Sequence, residues 1–173
     1  WIGTDGGGIN VLDPETQEIS VLEHIPGNNY SLPVNSILCL HNDVNNNMWA
    51  GSIRGGLINI REISMKTYTD AVPGNDAGLS DNTVLSLYQD SVSGDIWIGT
   101  DGGGLNRLNP GMEKFRHYPA TWKTKVASIT GFTSNELLLS LFSKGLFIFN
   151  KSTGNLTPLV VDNEEINNLI RYS

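Results

Sequence analysis

The sequence predicts an all-β fold of about four repeated four-stranded antiparallel units, and three observations carry that prediction. The 173 residues are 39% apolar and only 17% charged, with 19 Gly and 7 Pro. This suits many short strands joined by tight turns better than solvent-washed helices. The segment Trp1-Ile2-Gly3-Thr4-Asp5-Gly6-Gly7-Gly8 returns almost letter for letter as Trp97-Ile98-Gly99-Thr100-Asp101-Gly102-Gly103-Gly104. An intermediate copy, Trp49-Ala50-Gly51-Ser52-Ile53-Arg54-Gly55-Gly56, sets the three Trp residues 48 apart, a period characteristic of propeller blades when the segments within each copy are strand-like.

Each copy resolves into four short segments, here called A to D. In the second copy these are Ser36 to His41, Met48 to Ser52, Gly56 to Arg61 and a more polar Lys66 to Asp70. The A segments Ile37-Leu38-Cys39-Leu40 and Val84-Leu85-Ser86-Leu87 are nearly continuous apolar runs, as expected of an inner strand buried on both faces. The D segments, Glu18 to Glu23 and Lys114 to Tyr118, are mixed, as an outer edge strand should be. A decayed fourth copy, Leu138 to Phe147, aligns when Gly145 is set on Gly104. The expected organisation is a first blade holding only strands B to D over residues 1–23, then blades at 35–70, 82–118 and 125–160. Asn167-Asn168-Leu169-Ile170-Arg171-Tyr172 matches Asn82-Thr83-Val84-Leu85-Ser86-Leu87, so 167–173 read as a spare inner strand. The whole is expected to be part of a larger propeller. Its uncovered apolar faces and open blade edges favour self-association.

The Gly clusters between B and C lie between two extended apolar segments. They read as hairpin turns needing positive φ, not as a phosphate cradle, which would require a strand-to-helix junction. Trp1, Trp49 and Trp97 share one register on strand B and alternate with Gly, which assigns them to packing between blades. Asp43-Val44-Asn45-Asn46-Asn47 has the oxygen spacing that opens a calcium loop but lacks its Gly and distal Glu. Turn chemistry is the stronger reading, since Asp and Asn favour turns. His24, His41 and His117 occupy unrelated places in their repeats, and no zinc, thiol or serine-elbow motif is present. No metal, cofactor or catalytic residue is assigned.

Charge and hydropathy exclude several classes. A net charge of −7 and an isoelectric point near 4.8 argue against a nucleic-acid partner, which needs a basic face. Cys39 is the single cysteine and has no internal disulfide partner. The longest apolar stretch, Leu137 to Phe142, is interrupted by Ser140 and falls far short of the roughly 20 residues of a membrane-spanning helix. The segment itself is therefore expected to be soluble. Trp1 already lies in a strand-like segment, so the chain reads as a piece of something larger.

The run Asn82-Thr83-Val84-Leu85-Ser86-Leu87-Tyr88-Gln89-Asp90, followed by Gly94-Asp95-Ile96-Trp97-Ile98-Gly99-Thr100 and Gly103-Gly104-Leu105-Asn106-Arg107-Leu108, resembles the two-component regulator propeller repeat. That resemblance implies the periplasmic, extracytoplasmic sensor of a bacterial hybrid two-component system, whose parent protein is membrane-anchored and carries a histidine kinase. It implies a non-enzymatic signal-transduction module that binds an oligosaccharide or another small extracellular ligand. A propeller polysaccharide lyase or glycosidase, and a protein-interaction scaffold, stand as alternatives. In an up-and-down blade the B–C turns and D–A connections share one end, and loops on a rigid scaffold usually carry ligand contacts. The candidate ligand-binding residues there are Asp5, Arg54, Asp101 and Lys144 on the B–C tips, with Tyr30 and Trp122 on the connections. Asn28, Asn29 and Asp76 lie on the same connections.

Overall fold

The Trp-Ile-Gly-Thr motif and its copies form the second strands of successive sheets, and everything else follows from that register. The computed structural model describes residues 1–28, 30–61, 64–70 and 77–160. The proposed spare strand at 167–173, together with Asn29 and Asp76, lies outside the described residues.

The first sheet has three strands, β1 (Ile2–Gly3), β2 (Ile9–Leu12) and β3 (Ile19–Leu22). The second has four, β4 (Ile37–Asn42), β5 (Met48–Ser52), β6 (Leu57–Arg61) and β7 (Ser64–Tyr68). The third holds β8 (Val84–Gln89), β9 (Ile96–Thr100), β10 (Leu105–Asn109) and β11 (Lys114–His117), and the fourth β12 (Val126–Thr133), β13 (Glu136–Leu141), β14 (Gly145–Asn150) and β15 (Leu156–Pro158). Every pairing is antiparallel between chain neighbours. Each sheet is thus a meander, and its A–B and C–D turns fall at one end while the B–C turns and D–A connections fall at the other. Only one turn of 3₁₀ helix, Pro119–Thr121, departs from strand and turn among the described residues.

The core is divided into three clusters, one at each junction between sheets. Ile9 of the first sheet meets Ile37, Ala50, Ile58 and Ile60 of the second. Trp49 and Leu57 of the second meet Val84, Ile96, Ile98 and Leu108 of the third. Trp97, Leu105 and Tyr118 of the third meet Val126, Ile129, Leu137, Leu139 and Phe149 of the fourth. Trp49 and Trp97 therefore occupy the blade junctions, as their alternation with Gly implies. The alternation is needed for close approach: a Cβ on Gly51 would come within 2.5 Å of Val84 Cγ1, and one on Gly99 within 2.4 Å of the Val126 carbonyl oxygen. Trp97 stacks on Tyr118 at 5.4 Å and meets Phe149 edge-on at 5.7 Å. Truncating such a buried Trp typically costs about 3–5 kcal/mol, so these residues belong to the scaffold. Trp1 differs, being half exposed.

One expectation about burial is corrected. Apolar continuity predicts the A strands to be buried on both faces, yet β4 is buried only at Ile37 and β8 only at Val84 and Ser86. It is β9 that is buried at every residue, and β5 and β6 are nearly so. An inner strand has a neighbour in its sheet on only one side, whereas the B and C strands are flanked in the sheet on both sides and covered on both faces. Apolar continuity reports the faces and says nothing of the edge.

Candidate functional site

The B–C turns are built for joining blades. The backbone N–H groups of Gly6 and Gly8 donate to the Asn35 carbonyl at 3.2 and 2.8 Å, that of Gly56 to the Asn82 carbonyl at 2.9 Å, and that of Gly102 to the Thr124 carbonyl at 3.2 Å. In each case the acceptor sits at the entry to the next sheet. The two Asn side chains serve the connection as well: Asn35 Oδ1 accepts from His24 N at 2.6 Å, and Asn82 Oδ1 accepts from Asp70 N at 2.6 Å. Two of the three histidines hold the same connections, with His24 Nδ1 2.7 Å from the Leu32 carbonyl and His117 Nε2 2.9 Å from that of Gly78.

These bonds place the six residues singled out from the sequence. Asp5 and Asp101 bridge in antiparallel fashion to Ser36 and Lys125 of the following sheets, and the Asp101 carboxylate pairs with Lys125 Nζ at 2.7 Å. Arg54 is exposed at φ 61°, and Lys144 is exposed at its turn. Tyr30 and Trp122 are 76% and 57% exposed. Their backbones are fixed, Tyr30 N donating to Asn28 Oδ1 at 2.9 Å and Trp122 N to the Pro119 carbonyl at 3.1 Å. All six lie at one end of the sheets, spread along successive connections. They line none of three cavities formed by described residues, one of which, about 240 Å³, lies beside Tyr30 and is lined by His24, Ile25, Asn28 and Ser31 among others.

At the other end of the sheets the A–B turns hold a set of carboxylates, of which the sequence singles out only Asp43, as a turn former in preference to a calcium ligand. Asp43 accepts from Asn45 N at 2.9 Å, Asn47 N at 2.8 Å and Trp49 Nε1 at 2.9 Å. Burial pushes its carboxyl pKa up, but the bonds from Trp49, Asn47 and Asn45 outweigh burial and hold it below the ordinary value. The carboxylate is thus used by the turn and the Trp, as turn chemistry predicts. In the next repeat Asp90 accepts instead from Lys151 Nζ of the fourth sheet at 2.7 Å and from Val92 N at 2.9 Å. There too burial raises the pKa and is outweighed by the Lys151 ammonium and the turn N–H groups. Asp95, fully buried, pairs with the Arg107 guanidinium and accepts from Asn109 Nδ2 at 2.9 Å. For Arg107 burial lowers the pKa, while the Asp95 carboxylate more than offsets this and raises it. Burial pushes the Cys39 thiol up to about 12, so Cys39 behaves as a small apolar side chain. Among the described residues no three acidic, His or Cys side chains gather as a metal site, and no helix is long and apolar enough to cross a membrane.

Four antiparallel meanders packed face to face define a β-propeller arc. Residues 78–102 match the family model of the two component regulator propeller, and the chain carries that repeat. Among solved structures it is similar to an extracellular domain assigned to a hybrid two component system of B. thetaiotaomicron, with 19% identity, 92% of this chain on 20% of that one and a TM-score of 0.74. It is also similar to the extracellular domain of a second such system of that organism (21% identity, 94% on 27%, TM-score 0.52). Virginiamycin B lyase from Staphylococcus aureus is similar as well (16% identity, 92% on 50%, TM-score 0.65). At these identities the likeness is one of fold. The chain spans about a fifth of the length of the first of these domains. No curated protein matches the sequence.

Proposed function

We propose that this chain is a group of blades from the periplasmic sensor of a hybrid two-component system, anchored through its parent protein to the membrane, and that it binds an oligosaccharide without transforming it. The observation that carries the reading is the two component regulator propeller repeat at residues 78–102. Likeness in fold to extracellular domains assigned to such systems supports it. The ligand class is supported by Tyr30 and Trp122, two largely exposed aromatic rings on backbones held by hydrogen bonds at the loop end. An aromatic face covers a sugar ring while neighbouring Asn and Asp groups bond its hydroxyls. In the parent receptor the ligand has to bind one arrangement of the receptor better than another, since equal affinity shifts no equilibrium.

Calorimetry with a panel of neutral and charged oligosaccharides tests this. Saturable heat is expected for at least one member, with Trp122→Ala weakening it about tenfold, the equivalent of about 1.4 kcal/mol. Absence of heat across the panel, alongside a co-purifying protein partner, overturns the ligand in favour of a scaffold. Chain cleavage detected by chromatography overturns the sensor in favour of a lyase or glycosidase.

A further inference from the structure

A cavity of about 320 Å³ opens between the third and fourth sheets at the end carrying the A–B and C–D turns, opposite the loop end. Its wall includes Trp97, Arg107 and Arg116 on three adjacent strands and Asn135, Lys151 and Ser152 from the fourth sheet. Arg107 stands directly across from Trp97 on one side and from Arg116 on the other, so the three side chains share a row on one face.

Two like charges directly opposite each other on neighbouring strands repel. Arg107 is neutralised by Asp95, and Lys151 by Asp90. Arg116 pairs with no described carboxylate; its guanidinium sits 5.3 Å from the Tyr118 ring centroid. The cavity therefore holds an excess positive charge within a chain of net charge −7. The blade architecture does not ask for it. The same row in the second sheet is Trp49, Asn59 and Lys66, with Lys66 paired to Glu113, and in the first sheet Val11 and Ser20. The indole N–H of Trp97 is buried without an acceptor, whereas that of Trp49 is bonded to Asp43. The carboxylate equivalent to Asp43, that of Asp90, has turned to Lys151.

We propose that this cavity binds an oxyanion group, a carboxylate, sulfate or phosphate carried by a small ligand, with the Arg116 guanidinium as its main partner and the remaining Nδ2 hydrogen of Asn135 beside it, the Ser152 hydroxyl being used to hold Asn135 Oδ1 and the other Nδ2 hydrogen reaching Asn150. A guanidinium matches such a group bidentately, and the volume falls at the low end of small-molecule sites. The inference is independent of the sensing role proposed above.

Titrations of the chain with glucuronate, glucose 6-sulfate and glucose 6-phosphate, with glucose as the uncharged control, test it by heteronuclear NMR at the Trp97 indole N–H. At least one anionic probe is expected to shift that signal saturably, and the arm that does so identifies the oxyanion. Arg116→Gln should weaken its binding at least tenfold while leaving the other indole signals in place, which shows that the fold is intact. Arg116→Lys should restore part of the affinity, and raising the salt from about 50 to about 500 mM should weaken binding to the native chain. No saturable shift with any of the three anions, an equal shift with glucose, or undiminished binding by Arg116→Gln overturns the proposal.

Discussion

Asp43 and Asp90 hold equivalent places in successive repeats and differ in the donor they accept from, a neutral indole N–H in one case and a lysine ammonium in the other. Removing Asp43 strands buried donors, and the stranded Trp49 N–H together with two turn N–H groups makes Asp43→Ala expensive. A loss of about 2–3 kcal/mol is expected in urea unfolding, because hydrogen bonds to a charged acceptor carry more than neutral ones. The same geometry sets a pH dependence. The folded pKa lies below the ordinary value of 3.8, so the folded state holds the charged form more tightly than the unfolded chain does. The stabilisation is complete above that ordinary value and is lost as pH falls through the folded pKa. The stability gap between the native chain and Asp43→Asn should thus be constant from pH 7 to about pH 5 and shrink below about pH 4. A gap that widens on acidification would contradict the assignment.

Among the elements, the B–C turn shows how one glycine differs from another two residues away. Gly102 and Gly104 both have positive φ, at 106° and 81°. A Cβ at Gly102 meets nothing within 4 Å, whereas one at Gly104 would lie 2.4 Å from the Thr121 carbonyl oxygen. Gly104→Ala therefore adds a collision with backbone to the left-handed strain of roughly 1–2 kcal/mol that both substitutions share. We expect Gly102→Ala to cost about that strain alone and Gly104→Ala about 3 kcal/mol or more, read from urea midpoints. Equal costs would show that conformation alone, and not the approach to the Thr121 carbonyl of the 3₁₀ turn, selects glycine at Gly104. The turn's identity as a hairpin was legible from Asp-Gly between two apolar runs. Its role as the seam between blades was not, because the Asn35, Asn82 and Thr124 carbonyls that it bonds belong to the next repeat.

Considered as a whole, the first sheet presents a face like those that pack against a preceding sheet elsewhere in the arc. Ile2 and Leu12 are 59% and 48% exposed, while their counterparts Ala50 and Ile60, and Ile98 and Leu108, are 7% exposed or less against a preceding sheet. Ile19 and Val21 extend the same face across β3, the latter in line with Asn10. We propose that this face takes an apolar partner surface, which for the chain taken by itself is a second copy, since contiguous apolar surface of this kind is an association site. Sedimentation velocity should show a species heavier than the monomer that grows with concentration, and Ile19→Lys with Val21→Lys should return it to monomer. A native chain that stays monomeric at about 100 μM refutes the pairing.

The residues by themselves determined the repeat, its four-strand content, the turn chemistry and the scaffold role of Trp49 and Trp97, because a periodic pattern of alternation is a local property that recurs in the chain. Tertiary structure alone decided the rest. Which strands are most buried depends on lateral neighbours, and β9 rather than β8 is fully covered for that reason. The six loop-end residues were legible as turn and connection positions at one end of the sheets, yet their separation along that end is a fact of blade packing. Arg107, Arg116 and Lys151 were passed over because 35 residues divide Arg116 from Lys151 in sequence, and only the stacking of the third sheet on the fourth sets them around one cavity. The signal that was present, two arginines where other copies carry Asn59 and Lys66 or Val11 and Ser20, becomes meaningful once register shows them to be opposite each other. Charge acts through space, and the chain's order does not record which charges face one another.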